Sequence, residues 1–162
     1  MYPYNRNTHL YTAKVQAKEE APLSDDRRLL ELLQLALAAT DAMFCRYQAL
    51  LAEPKLAESA DILKTMLLDE QKHSKQLKDI IYSIYGEIQT LETTETAEDA
   101  QAADAAGMLE ETMLTEMDDI GFFRSLLLSM PENDLRDPFY EMVTDKQNHC
   151  NGLCFLYSKY FS

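Results

Sequence analysis

Apolar residues recur at three- and four-residue steps through four long stretches of this chain, the spacing of helices that each bury one face. The clearest runs from Leu63 to Ile84, with a stripe of Leu63, Met66, Leu67, Leu77, Ile80, Ile81 and Ile84. Before it, Ser24-Asp25-Asp26 reads as a helix start, a capping hydroxyl followed by acids in the first turn. The helix it opens reaches about Ala52, with Leu29, Leu33, Leu37, Met43, Tyr47 and Leu50 on its inner face. Glu53-Pro54 makes the turn into the second helix, predicted over 55–85, and Gly86 is placed to end it as a left-handed residue. A third helix is predicted over 102–130, with Leu109, Met113, Ile120, Phe123 and Leu126 inward and Pro131 as its stop. Asp137-Pro138 then reads as a cap followed by a first-turn proline. The fourth helix carries Phe139, Met142, Leu153, Leu156 and Tyr160 to the C-terminus.

Each stripe is broken by polar residues at one level. The first helix offers Thr40, the second Glu70 and His73, the third Glu116, and the fourth Lys146 and His149. Unpaired ionised groups in a core cost several kcal/mol each, so these residues must satisfy one another or bind something. Glu70 and His73, three apart on a helix, point the same way and form a metal-ligand pair. One isolated pair of this kind is ordinarily a surface acid beside a partly buried histidine. Thr40 taken alone reads as a packed threonine bonded to its own helix, and Lys146 as a side chain reaching out to solvent. Asp119 (three after Glu116) and Asp145 (four before His149) lie near the inner faces; they read as solvated surface acids, with replacement of a missing carboxylate ligand as the alternative.

The pattern repeats after 76 positions. Asp69, Gln71, His73 and Leu77 return as Asp145, Gln147, His149 and Leu153, and Tyr47, Leu50 and Leu51 return as Phe123, Leu126 and Leu127. Two copies of a helical hairpin account for this, giving an all-α four-helix bundle. Residues 86–101, acidic and threonine-rich, join the copies. Sixteen extended residues reach on the order of 50 Å, and a helix of about 28 residues is roughly 42 Å long. The linker can therefore run the length of the bundle, which a short up-down-up-down loop could not.

Composition narrows the function classes. The 162 residues suit one domain at 23–162 behind an arm at 1–22. That arm, with Tyr2, Tyr4 and Tyr11, reads as poorly ordered or packed on a protein partner. A net charge of −13, with no Lys or Arg between Lys78 and Arg124, disfavours nucleic acid and anionic membranes. No apolar run approaches the roughly 20 residues that cross a bilayer, and the N-terminus lacks the apolar core of a signal peptide. The expected location is cytoplasmic. Three cysteines, Cys45, Cys150 and Cys154, make no paired framework and read as reduced, packed thiols, with Cys150 beside His149 as an alternative soft ligand or redox thiol.

The strings DEQKHSKQL and DKQNHCNGL, the long central crossover, and an aromatic seven residues after a layer position (Thr40–Tyr47, Glu116–Phe123) resemble the ferritin-like superfamily, its rubrerythrin branch in particular. The likeness covers about residues 25–161. It implies a di-iron centre held by one Glu on each of the first and third helices and by two ExxH pairs, reacting with peroxide or dioxygen, and a homodimer by analogy. Glu70, His73, Glu116 and His149 match the family's ligand positions; Thr40 and Lys146 stand where two further glutamates would be. A protonated lysine has no lone pair to give. The expectation is thus a degenerate site, an ion-pair network between Lys146 and the glutamates with Thr40 and the histidines as hydrogen-bond partners, holding no cofactor or one divalent metal (iron, manganese or zinc). The function expected is that of a structural or binding module. The alternatives are a metal-dependent peroxidase or oxidase on a reduced site, and a coat-type interaction protein.

Overall fold

A computed structural model describes residues 26–86, 104–130 and 135–161. They form four long helices: α1, Asp26–Leu51; α2, Ala60–Tyr85; α3, Ala105–Ser129; and α4, Arg136–Phe161. A short 3-10 segment, Pro54–Ser59, leads into α2. The arm at 1–22 and most of the 86–101 linker lie outside the described residues.

Local chemistry sets the boundaries. Glu53 is extended (φ −74°, ψ 114°) ahead of Pro54, as the proline ring demands of its predecessor. The α-helix proper then begins only at Ala60, later than the periodicity predicts, because the first turns wind as 3-10 and seat Leu56 in the core. Gly86 closes α2 at φ 73°, a conformation that costs glycine nothing. Asp104 caps α3 by accepting a hydrogen bond from the Gly107 amide at 2.9 Å. Asp137 falls inside the first turn of α4 rather than at its cap, a shift of two residues within ordinary boundary scatter.

The helices pack chiefly as two hairpins, α1 on α2 and α3 on α4, with α1 also meeting α3 and α2 meeting α4. Direction follows from which residues pair. Lys72 meets Glu141, while Asp69, three residues earlier on α2, meets His149 further along α4. Helices α2 and α4 are therefore antiparallel.

Two apolar clusters fill the bundle. One gathers Leu33, Leu37, Leu77, Ile81, Phe122, Phe123, Phe139 and Met142. The other gathers Met43, Tyr47, Leu50, Leu63, Met66, Leu109, Leu153 and Leu156. Helix α2 ends beside the first cluster and α3 starts beside the second, so the two anchor points of the linker lie at opposite ends of the bundle. Ile84, predicted inward, is 39% exposed, while its neighbour Tyr85 packs against the first cluster. Between the clusters every helix turns polar at once.

Candidate functional site

That polar layer is built from all four helices. Thr40, Glu70, His73, Glu116, Asp119, Lys146 and His149 are each buried, because the apolar positions one turn above and below them on each helix are pinned in the two clusters. Its centre is the Lys146 ammonium. Nζ donates to Glu70 Oε1 at 3.0 Å, Glu116 Oε2 at 3.1 Å and Asp119 Oδ2 at 3.4 Å. An ammonium has three N–H donors, and here each finds its own carboxylate. The Phe123 ring lies 5.2 Å from the same nitrogen, within cation–π range.

Burial alone works against a charged Lys146; the charges of Glu116, Glu70 and Asp119 outweigh it and hold the pKa above that of an ordinary lysine. Burial likewise pulls the Glu70 carboxyl upward, but the Lys146 charge and the neighbouring imidazoles leave it well below the usual carboxylate range. The network is a set of charged partners, as its geometry requires.

His149 joins the centre from α4. Its Nδ1 lies 3.0 Å from Glu116 Oε1 and 3.5 Å from Glu70 Oε1, and its Nε2 lies 3.2 Å from Asp69 Oδ2. A carboxylate on each ring nitrogen favours the doubly protonated imidazolium. Burial opposes that charge, but the bonds and charges of Glu116 and Glu70 prevail and raise the pKa to about 10. Tyr47 donates its hydroxyl to Glu116 Oε1 at 2.5 Å, the length of a phenol-to-carboxylate bond. Burial and then the Glu116 charge push the Tyr47 pKa well up, so the phenol stays a donor.

Of the predicted residues, Glu70, Glu116, His149 and Lys146 come together directly. His73 stands one contact out: its Nε2 bonds Asp145 Oδ2 at 3.0 Å and its Nδ1 is 3.8 Å from Glu70 Oε1, beyond hydrogen-bond length. Thr40 corrects the expectation. It is wholly buried at the right level, yet its Oγ1 has no hydrogen-bond partner, so it bonds neither its own helix nor the network. Lys146 does not reach for solvent.

The Tyr47–Glu116 bond and the partners of Asp119, Asp145 and Asp69 go beyond what the stripes predict. Asp119, read as a surface acid, is fully buried and bonded to Lys146, because residues 112, 116, 119 and 123 share one helical face and leave Ile120 at its edge. Asp145, read likewise, is about three-quarters buried and holds His73. The reciprocal pair joins Asp69 to His149; the D-x-x-x-H spacing, present in both copies, was the signal. The thiols are less packed than expected: Cys45 and Cys154 are exposed and Cys150 is half-buried, since all lie off the inner faces.

One carboxylate oxygen of the layer, Glu70 Oε2, has no hydrogen-bond partner. Glu70 lines a cleft of about 430 Å³ together with Asp41, Ser74, Lys75 and Lys78. The ligand atoms of Glu70, Glu116 and His149 lie within 4.8 Å of one another, close enough to share a metal ion. For that, His149 would have to lose a proton and Lys146 would have to give up two bonds.

Comparison of the chain with protein-family models, curated proteins and solved structures finds no match in any of the three.

Proposed function

We propose that this chain is a rubrerythrin-like member of the ferritin-like superfamily in which an ion-pair network has replaced the di-iron centre, and that it serves as a structural or binding module. The observation that carries the reading is the fully buried Lys146 ammonium, bonded to Glu70, Glu116 and Asp119. The 76-residue repeat and the four layer positions that match the family's ligands, Glu70, His73, Glu116 and His149, support the family. The residues present do not fit two metal ions. Thr40 contributes no charge at one of the six positions, Lys146 contributes a positive charge and no lone pair at another, and its nitrogen sits among the carboxylates that two ions would share.

The test is iron loading. The full chain, incubated with excess Fe(II) without oxygen and then desalted, is expected to retain fewer than two irons per chain. Two tightly held irons per chain would overturn the proposal.

A second reading is favoured by the grouping of Glu70, Glu116 and His149 and by the unpartnered Glu70 Oε2. These residues would hold one divalent ion, iron, manganese or zinc, with two oxygens and one nitrogen. Such an ion would supply Lewis-acid or, for iron and manganese, redox chemistry toward peroxide. The protein's own contribution would be the Asp69 carboxylate that orients His149 and the Tyr47 hydroxyl that fixes Glu116. Peroxide turnover that appears on metal addition and disappears in Glu116→Ala supports this reading over the first.

A further inference from the structure

Outside the polar layer, the described residues bring three sulfur atoms to one face of the α3–α4 hairpin. Cys154 Sγ lies 3.1 Å from Met113 Sδ. Cys150, one turn earlier on α4, has its Sγ 4.0 Å from the Met113 carbonyl oxygen. Two thiols on one helix thus turn toward a single methionine on the next. Both are free; Cys154 is exposed, and Cys150 and Met113 are half-buried, so the group is open to an ion from solution.

We propose that Cys150, Cys154 and Met113 form a binding site for one soft monovalent metal ion of the Cu(I) class. Two thiolates and a thioether are the donors that select such an ion over harder ones. The spacing favours a metal over a disulfide. Residues four apart on a helix hold their Cβ atoms about 5–6 Å apart, whereas a disulfide needs about 3.5–4.5 Å, so oxidation would distort α4. Two metal–sulfur bonds of about 2.3 Å each span the wider gap without moving the backbone. Zinc is disfavoured because its ligands are thiolate, imidazole and carboxylate, and the thioether is a softer donor. Binding is balanced in protons: the ion displaces one from each thiol that ligates it, and no electron is transferred. The site shares no donor with the polar layer, so it stands or falls apart from the reading above.

The probe is Cu(I) held by the coloured chelator bicinchoninate, with reductant present and oxygen excluded, titrated with the full chain. One Cu(I) per chain should pass from chelator to protein. Loss of a ligand should cost at least as much as loss of an outer-shell partner, about 10–100-fold in affinity, so Cys150→Ser and Cys154→Ser should each weaken uptake by that factor or more. Met113→Leu should weaken it as well, and Cys45→Ser, on the exposed surface of α1, should leave it unchanged. Circular dichroism establishes that each variant keeps its helices. Undiminished uptake by the Cys150→Ser/Cys154→Ser double variant, uptake that depends on Cys45, or wild-type affinity in Met113→Leu would each overturn the three-sulfur site.

Discussion

The two hairpins of this bundle share a backbone plan and differ in charge. Where the first presents Thr40, Glu70 and His73, the second presents Glu116, Lys146 and His149 at the matched positions. Met43 in the first hairpin is matched by Asp119 in the second, and Tyr47 by Phe123. Every exchange has a consequence across the approximate symmetry. Lys146 binds the Glu70 that its own copy lacks, Tyr47 donates to the Glu116 that Thr40 cannot be, and Phe123 lies beside the ammonium. Only the aspartate–histidine pairs stay symmetric, Asp69 with His149 and Asp145 with His73. A repeat can therefore keep its packing while its halves become complementary in charge, and neither half then satisfies its polar groups alone. The unbonded Thr40 Oγ1 and Glu70 Oε2 both belong to the first hairpin, which presents an uncharged Thr40 where the second presents Glu116.

Removing the central cation should break this complementarity most. Lys146→Met keeps most of the length of the side chain, removes the ammonium and strands three buried carboxylates. Loss of one partner of a buried ionic set costs about 3–5 kcal/mol, read as a lower urea midpoint at neutral pH. The deficit should shrink on acidification as the stranded carboxylates take up protons.

Next comes the proton on His149, held to about pH 10 in the fold against 6.5 for an ordinary histidine. A raised pKa contributes all its stabilisation below about 6.5 and loses it as the pH climbs toward 10, at about 1.4 kcal/mol per pH unit. Burial, followed by the Glu116 charge, raises Cys150 to about 12, so the thiol stays protonated in the fold and affects stability only near the top of that range, where the unfolded thiol ionises. The difference in urea stability between wild type and His149→Gln, measured from pH 6.5 to 9, isolates the histidine. It should narrow steadily as the pH rises.

Asp119→Asn tests whether the second hairpin's extra acid matters. It weakens the longest of the three Lys146 bonds, and hydrogen bonds to charged groups contribute about 1.5–3 kcal/mol. A loss in that range by urea denaturation is expected, smaller than for Lys146→Met. The smallest effect should come from Thr40→Val. Its hydroxyl is buried without a partner, so replacing it by a methyl should be neutral or stabilise by up to about 1 kcal/mol. A clear loss of stability would mean that the hydroxyl is bonded after all.

Much of this arrangement could be read from the chain itself. The helical stripes locate all four helices, and their shared polar level singles out Glu70, Glu116, Lys146 and His149 from sequence alone. A simple stripe fails where a helix face is wider than one row of residues. Asp119 sits three after Glu116 and was displaced in the reading by Ile120, an apolar residue on the margin of the same face. The Tyr47–Glu116 bond was hidden for a different reason, since it joins α1 to α3 and periodicity describes one helix at a time. Thr40 shows the opposite limit: its level was right, but whether a hydroxyl finds a partner depends on distances of a few tenths of an ångström. The reciprocal aspartate–histidine pairs were spelled out by the repeat, yet an acid beside an apolar stripe looks the same whether it turns to water or to a neighbouring helix.

The central claim is that an ammonium balances the buried carboxylates. It is tested most directly by nitrogen-15 NMR of the Lys146 side chain, assigned by comparison with Lys146→Met and followed through a pH titration with and without Fe(II). The predicted result is an ammonium signal that persists above the pH at which ordinary lysines titrate and is unmoved by the metal. A neutral amine at pH 7, or a signal displaced as iron takes its place among Glu70, Glu116 and Asp119, would contradict it.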